Sequence, residues 1–152
     1  MMALRGFFVA AALAGFLAPP AALSRDLGQW EDVDPATRAW FGRLMQPDTV
    51  GQMGGGISCC GETDAYWADE VHVRDGKIFA VITDQRDDGP LVRIHEDVGE
   101  EYEVPPNKIV GREQEAGNPT GHTVIFLGAP VFIGTGRAGK RPVLCYVQNS
   151  GV

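Results

Sequence analysis

The sequence predicts a mainly β, α+β fold: one N-terminal helix packed on a small antiparallel sheet or a partly open barrel. Glycine and proline are frequent, 20 and 10 of 152 residues, which favours short strands and turns over a helical bundle. Short runs of alternating apolar and polar residues follow one another after residue 64, and this period is typical of strands. A single segment near residue 40 has helical spacing.

The first 24 residues have the pattern of a secretory signal peptide. One basic residue, Arg5, precedes an apolar run over 6–17, and small residues lead up to Ser24. The run is shorter than the roughly 20 residues of a membrane-spanning helix. We therefore expect cleavage after residue 24, a periplasmic or secreted protein with no membrane span, and a single disulfide-stabilised β-rich domain over 25–152.

The exported part of the chain is acidic. Residues 25–152 hold 12 basic and 20 acidic residues, a net charge of −8. This field repels phosphate backbones and anionic membrane surfaces, so nucleic acid is disfavoured as a partner. We expect a protein or small-molecule partner in the cell envelope, and no cofactor.

The helical segment has a clear start. Asp34 is a suitable N-cap and Pro35 a suitable first helical residue. The apolar residues that follow form one stripe, because they lie four positions apart, and we expect the stripe to dock on the sheet: Trp40, Phe41, Leu44 and Met45. Pro47 should stop the helix.

Three cysteines in an exported chain predict one disulfide and one remaining thiol. Adjacent cysteines rarely bond to each other, so Cys145 should pair with Cys59 or with Cys60. Closing such a loop is worth roughly 4 kcal/mol in the chain-entropy model. The remaining thiol is either buried and inert, or forms a disulfide-linked dimer, or takes part in metal binding or thiol exchange.

A periplasmic metal-binding or thiol-active protein is the alternative function. Soft thiolates with an imidazole select copper or zinc. The candidate ligands are the cysteines and one histidine, with His122 preferred over His72 and His95: Cys59, Cys60, Cys145 and His122. Neither a C-x-x-C nor an H-x-x-x-H spacing supports this set.

Asp75-Gly76 separates two alternating runs and predicts a β-hairpin of strands 66–74 and 77–83. Arg74 should then pair with Lys77. One face, predicted to be the core, carries Trp67, Val71, Val73, Ile78, Ala80 and Ile82. The outer face carries Tyr66, Glu70, His72, Phe79 and Val81.

Further strands are predicted at 91–94, 102–104, 108–110, 123–127, 131–133 and 143–147. The polar segment 84–89 is interpreted as a solvated loop. Residues 134–140 match the G-x-x-x-x-G-K pattern of a phosphate-binding loop, but Arg141 replaces the required Ser or Thr and Pro142 forbids the following helix. We interpret 134–141 as a flexible basic hairpin loop.

Four residues are candidates for binding. Glu62, Asp64 and Tyr66 follow the adjacent cysteines in a run of small and acidic residues. His122 follows Asn118-Pro119-Thr120-Gly121, and turns of this kind often carry binding groups. The simpler interpretation of His122 is a turn residue that starts a strand.

Several segments together resemble an uncharacterised family of small exported proteobacterial proteins. They include residues 58–62 (SCCGE), residues 118–122 (NPTGH) and residues 145–147 (CYV), which match the family's Ser-Cys-Cys segment and C-terminal Cys-aromatic strand. The resemblance implies export and pairing of the first two cysteines with the last strand, and no catalytic residue. The sequence thus predicts an exported, non-catalytic binding or envelope-associated module.

Overall fold

The computed structural model describes residues 33–52, 54–61, 64–133 and 137–149. The predicted signal peptide, residues 1–24, lies outside them. The described helices are α1 (Pro35–Arg43), α2 (Asp88–Leu91) and α3 (Arg112–Glu115), with 3₁₀ turns at Pro47–Thr49 and Pro106–Lys108. The described strands are β1 (Ala65–Trp67), β2 (Glu70–Arg74), β3 (Lys77–Val81), β4 (Glu101–Val104), β5 (Val124–Leu127), β6 (Phe132–Ile133), β7 (Arg137–Ala138) and β8 (Val143–Val147).

Six of the eight described strands form two three-stranded antiparallel sheets. One has the order β1-β5-β8 and the other β2-β3-β4, while β6 and β7 form a small hairpin. The predicted mainly β, α+β class is confirmed. The partly open barrel was one of two expectations, and the described residues form separate sheets without a closed barrel.

The β1-β5-β8 sheet lies between two apolar layers. Val124 and Phe126 of β5 belong to the cluster that contains the α1 residues Trp40 and Phe41. Ile125 and Leu127 of β5 belong to a second cluster, which they share with residues of the β2-β3-β4 sheet. Because alternate residues of a strand face opposite sides, β5 holds both layers together.

Helix α1 begins and docks as predicted. The Asp34 carboxylate accepts a hydrogen bond from the Thr37 N–H at 3.0 Å, and Pro35 is the first helical residue. Trp40 and Phe41 are buried, and Phe41 meets Phe126 edge-on at 5.9 Å. The helix ends at Arg43, before Pro47, because Leu44 is already extended.

The predicted β2–β3 hairpin is confirmed, with Arg74 opposite Lys77. The expected strand 66–74 is wrong, however, because the chain leaves the strand at 68–69 and β1 pairs with β5 instead. Tyr66 is therefore 1% exposed rather than on an outer face. Of the predicted core face, Ala80 and Ile82 are buried, whereas Val71 and Val73 of β2 lie on that face but are 41% and 70% exposed. Val81, predicted on the outer face, is buried, with 5% exposed.

Two other predicted strands are wrong. Residues 88–91 form α2, and the chain after it has no strand up to β4. The segment 108–110 contributes only a parallel bridge between Ile109 and Tyr146. Strands at 102–104, 123–127, 131–133 and 143–147 are confirmed, each within one or two residues.

The disulfide joins Cys59 to Cys145, with Cα atoms 5.6 Å apart. It ties the segment after α1 to strand β8, where Cys145 lies opposite Phe126 of β5 in the apolar cluster. The open choice between the adjacent cysteines is thus settled in favour of Cys59, and Cys60 is half-buried beside the bond. Such a bond is compatible with an oxidising compartment.

Within the described ranges, we find no helix with the length and apolar character needed to cross a membrane.

Candidate functional site

A buried carboxylate, Asp84, organises the interior at the end of β1. Its side chain is 1% exposed and accepts hydrogen bonds from Arg86 and Arg93, each at 2.7 Å to Oδ2. The Trp67 N–H also donates to it. The expectation that 84–89 is a solvated loop is therefore wrong for Asp84, which is held inside by two guanidinium groups.

Arg93 is as buried as its partner, with 2% of its side chain exposed. It donates to Asp84, to Asp88 and to the Arg86 carbonyl oxygen. Asp88 in turn bonds the exposed His95 at 2.6 Å. Burial opposes ionisation of Asp84, but the hydrogen bonds from Arg86 and Arg93 outweigh it and hold the pKa of that carboxyl far below its usual value.

A second buried cation, Arg141, contacts Tyr66 of β1. It donates to the Gly128 and Leu127 carbonyl oxygens and, at 2.7 Å, to the Tyr66 hydroxyl. Glu96 accepts from it at 3.1 Å. The predicted flexible basic loop 134–141 is therefore wrong at Arg141, which is an interior anchor with 4% of its side chain exposed; residues 134–136 lie outside the described ranges.

Two tyrosines complete this second cluster. Tyr66 donates to the Ile94 carbonyl oxygen, and Tyr102 donates to Glu96 at 2.5 Å. Burial raises the pKa of the Tyr102 hydroxyl, and the Glu96 carboxylate raises it further. Every polar group here meets a partner inside the protein, so we interpret the two clusters as structural.

An open cleft of about 340 Å³ lies above the second cluster. His95, Glu96, Glu100, Lys140 and Arg141 line it together with apolar residues. Glu96 and Arg141 are paired with each other, and Lys140 pairs with Glu100 at 2.9 Å. The lining side chains thus satisfy one another across the cleft.

His122 has a different setting, which we call the His122 surface and define as Trp67, Asp69, Arg86 and His122. The imidazole stacks on the Trp67 indole, with ring centroids 4.8 Å apart and planes 14° from parallel. Its Nδ1 lies 2.7 Å from Asp69 Oδ2. The Arg86 guanidinium lies over the same indole at 3.6 Å.

The loop before β5 positions this histidine. The Asn118 side chain donates to the His122 carbonyl oxygen at 2.9 Å, and the Thr120 hydroxyl accepts from the His122 N–H. Asp69 also accepts from the Thr123 N–H at 2.8 Å, which fixes the carboxylate. The histidine side chain is 42% exposed, so a fixed ring is presented to solvent.

The fixed orientation leaves one atom of the ring available. With Nδ1 bonded to the carboxylate, Nε2 is the atom that can meet a ligand. A ligand at this surface can contact the aromatic rings and accept or donate one oriented hydrogen bond at Nε2, and binding sites commonly combine these two kinds of contact. A histidine oriented by a carboxylate also suits proton transfer.

The predicted binding residues are not all brought to one site. Asp64 lies 3.5 Å from Arg141 and Tyr66 is bonded to it, so both belong to the buried cluster. His122 belongs to the surface described above, and Glu62 lies outside the described residues.

The alternative ligand set Cys59, Cys60, Cys145 and His122 is not assembled. Two of the sulfurs are joined in a disulfide and are not thiolates, and His122 is bonded to Asp69. Within the described part of the chain, no group of three or more His, Cys, Asp or Glu side chains is arranged to hold a metal ion.

Sequence reasoning missed Asp69, Asp84, Arg93 and Arg141. Nothing in a single sequence separates a buried charged side chain from a solvated one, because burial depends on partners far along the chain. A weak indication existed for Trp67, an aromatic residue in the segment after the cysteines.

Comparison of the chain with protein-family models, with curated proteins and with solved structures finds no match.

Proposed function

We propose that the protein is an exported, non-catalytic binding module of the cell envelope, and that its ligand is held at the His122 surface. One observation carries this proposal: the exposed imidazole is fixed by Asp69 at 2.7 Å and by stacking on Trp67 at 4.8 Å. A ring already fixed in place loses little conformational freedom on binding, which favours affinity.

The surface suggests the chemistry of the ligand. Trp67 and His122 offer an aromatic edge for apolar or planar groups, while Nε2 offers one oriented hydrogen bond. Arg86 is held by Asp84 and lies over the indole at 3.6 Å. We infer a small molecule or peptide that places a hydrogen-bonding group beside a planar or apolar group.

Export is the second part of the proposal. It rests on the signal-peptide pattern of residues 1–24 and on the Cys59–Cys145 disulfide, a bond typical of oxidising compartments. The resemblance to the exported Ser-Cys-Cys family points the same way, and we propose membership of that family.

A thermal-shift screen with defined small molecules and short peptides tests the binding site. We expect at least one compound to raise the melting temperature of the wild type and of His95→Ala, but not of His122→Ala. His95 is the matched control, because it also bonds an aspartate and is 71% exposed. If every stabilising compound raised the melting temperatures of the wild type, His95→Ala and His122→Ala equally, the proposed site would be contradicted.

The Asp69–His122 pair favours one other function, proton-transfer catalysis. Each hit should therefore be incubated with the protein and analysed by mass spectrometry. The binding proposal predicts that it is recovered unchanged. Turnover by the wild type that is lost in His122→Ala would replace binding by catalysis at the same surface.

A further inference from the structure

Strand β2 carries an apolar row to the edge of its sheet. The order β2-β3-β4 gives β2 one neighbour among the described residues. Val71 and Val73 share a face with Ala80 and Tyr102, which are buried. The two valines are nevertheless 41% and 70% exposed, so the apolar row continues past the covered part of the sheet.

The turn fixes which backbone groups of β2 point outward. Asp75 and Gly76 both have positive φ, 50° and 73°, as in the two-residue type I′ turn. In such a hairpin the flanking pair Arg74–Lys77 exchanges hydrogen bonds, and bonded and non-bonded pairs then alternate. The N–H and C=O groups of Val71 and Val73 therefore point away from β3, toward the open edge.

We propose that the protein forms a two-fold symmetric dimer in which β2 pairs antiparallel with β2 of a second copy, His72 facing His72 on the axis. Val71 of each copy then lies opposite Val73 of the other. The outward backbone groups meet in four hydrogen bonds, and the exposed valines cover one another. The two sheets become one six-stranded sheet.

Charge complementarity selects this occupant. In the His72-centred register, Glu70 of each copy faces Arg74 of the other, so opposite charges meet on both sides of the axis. Glu70 bonds His72 at 2.9 Å and Arg74 bonds Glu101 at 2.5 Å, but their side chains are still 60% and 51% exposed, so a partner's opposite charge can join each pair. The segment 70–74 (EVHVR) is thus complementary to itself when reversed, as an isologous interface requires.

Neighbouring registers fit less well. A register centred on Val73 places Arg74 opposite His72 and brings the turn residue Asp75 into the pairing. A register centred on Val71 requires the Asp69 N–H, which already donates to the Thr83 hydroxyl at 3.1 Å. The His72-centred register uses only Val71 and Val73 for backbone pairing.

Sedimentation velocity of the exported protein, from about 1 µM to 1 mM, tests the dimer. A single strand pair is a small interface, so we expect a weak, concentration-dependent dimer with a Kd in the micromolar range or above. A wild type that stays monomeric at 1 mM overturns the proposal, and pairing of β2 with another protein would then be the remaining use of this edge.

Charge-swap variants test the register. Glu70→Arg and Arg74→Glu each place like charges across the axis. Each variant alone should therefore dimerise more weakly, with a Kd at least tenfold higher than that of the wild type. An equimolar mixture of the two variants should dimerise again, because every cross-strand pair is then of opposite sign. This rescue does not follow from a structural effect on either monomer.

Glu103→Arg is the matched control. It changes the net charge by the same amount but lies on β4, at the other edge of the sheet. It should dimerise like the wild type. Loss of the dimer in Glu103→Arg, or retention in the unmixed Glu70→Arg, would refute pairing through β2.

Discussion

Replacing Asp84 by Asn tests the buried ion cluster that holds β1. The substitution keeps the shape of the side chain and removes its charge. Arg93, 2% exposed, would then keep Asp88 but meet a neutral amide in place of the buried carboxylate that it now bonds at 2.7 Å. Breaking a buried pair typically costs about 3 to 5 kcal/mol, and we expect about 3 because Asp88 remains.

Urea denaturation measures this loss. With an m-value of about 2 kcal/mol per molar, the unfolding midpoint should fall by about 1.5 M at pH 7. Asp97→Asn is the matched control, because Asp97 is 89% exposed, and it should change the free energy of unfolding by less than about 0.5 kcal/mol. A loss no larger than that of the control would refute the buried cluster.

The same pair of proteins gives a pH signature. The pKa of Asp84 is lower in the folded state than in the unfolded one. Its contribution is therefore complete above the unfolded pKa of about 3.9 and is lost as the pH falls toward the folded pKa. The difference between wild type and Asp84→Asn should be about 1.3 kcal/mol smaller at pH 3 than at pH 7. If the stability difference between the two proteins did not change with pH, the pKa of Asp84 would not be lowered by Arg86 and Arg93.

Two further substitutions test the packing. Cys145→Ala removes the bond across 86 residues and should cost about 4 kcal/mol, a fall of about 15 °C in Tm by calorimetry; an unchanged Tm would mean that the disulfide does not constrain the fold. Gly128→Ala places a Cβ 2.9 Å from Pro142 and 3.2 Å from Leu144, so it should cost about 1 to 3 kcal/mol. Gly111→Ala, whose Cβ meets nothing within 4 Å, should not show this loss.

The features that the sequence predicted well are local. The start of α1 depends on Asp34 and Pro35, and the β2–β3 turn on Asp75-Gly76, and both signatures act within four residues. The most apolar strand, β5, was predicted from its continuous apolar run, and in the structure it is buried on both faces. Pairing of Cys145 with one of the adjacent cysteines followed from elimination, although the choice of Cys59 did not.

The features that it did not predict depend on distant partners. The break at 68–69 allows β1 to pair with β5, some 60 positions along the chain, and no pattern within 66–74 shows it. Asp84 and Arg141 look like loop residues until their partners are known. The burial of Val71 and Val73 was predicted wrongly because alternation predicts which residues share a face, not whether another layer covers that face.

For the candidate site, the sequence singled out His122 but neither of its partners. Asp69 is 53 positions away, and its contact requires the loop before β5 to fold back beside β1. The role of His122 in binding stays a prediction.

The central claim, an exported module closed by one structural disulfide, is tested most directly by a non-reducing intact mass and peptide map of the protein recovered from the envelope. We predict a chain that begins near residue 25 and a cross-linked peptide pair that contains Cys59 and Cys145. A chain that retains residues 1–24, with Cys59 and Cys145 both reduced, would contradict the account.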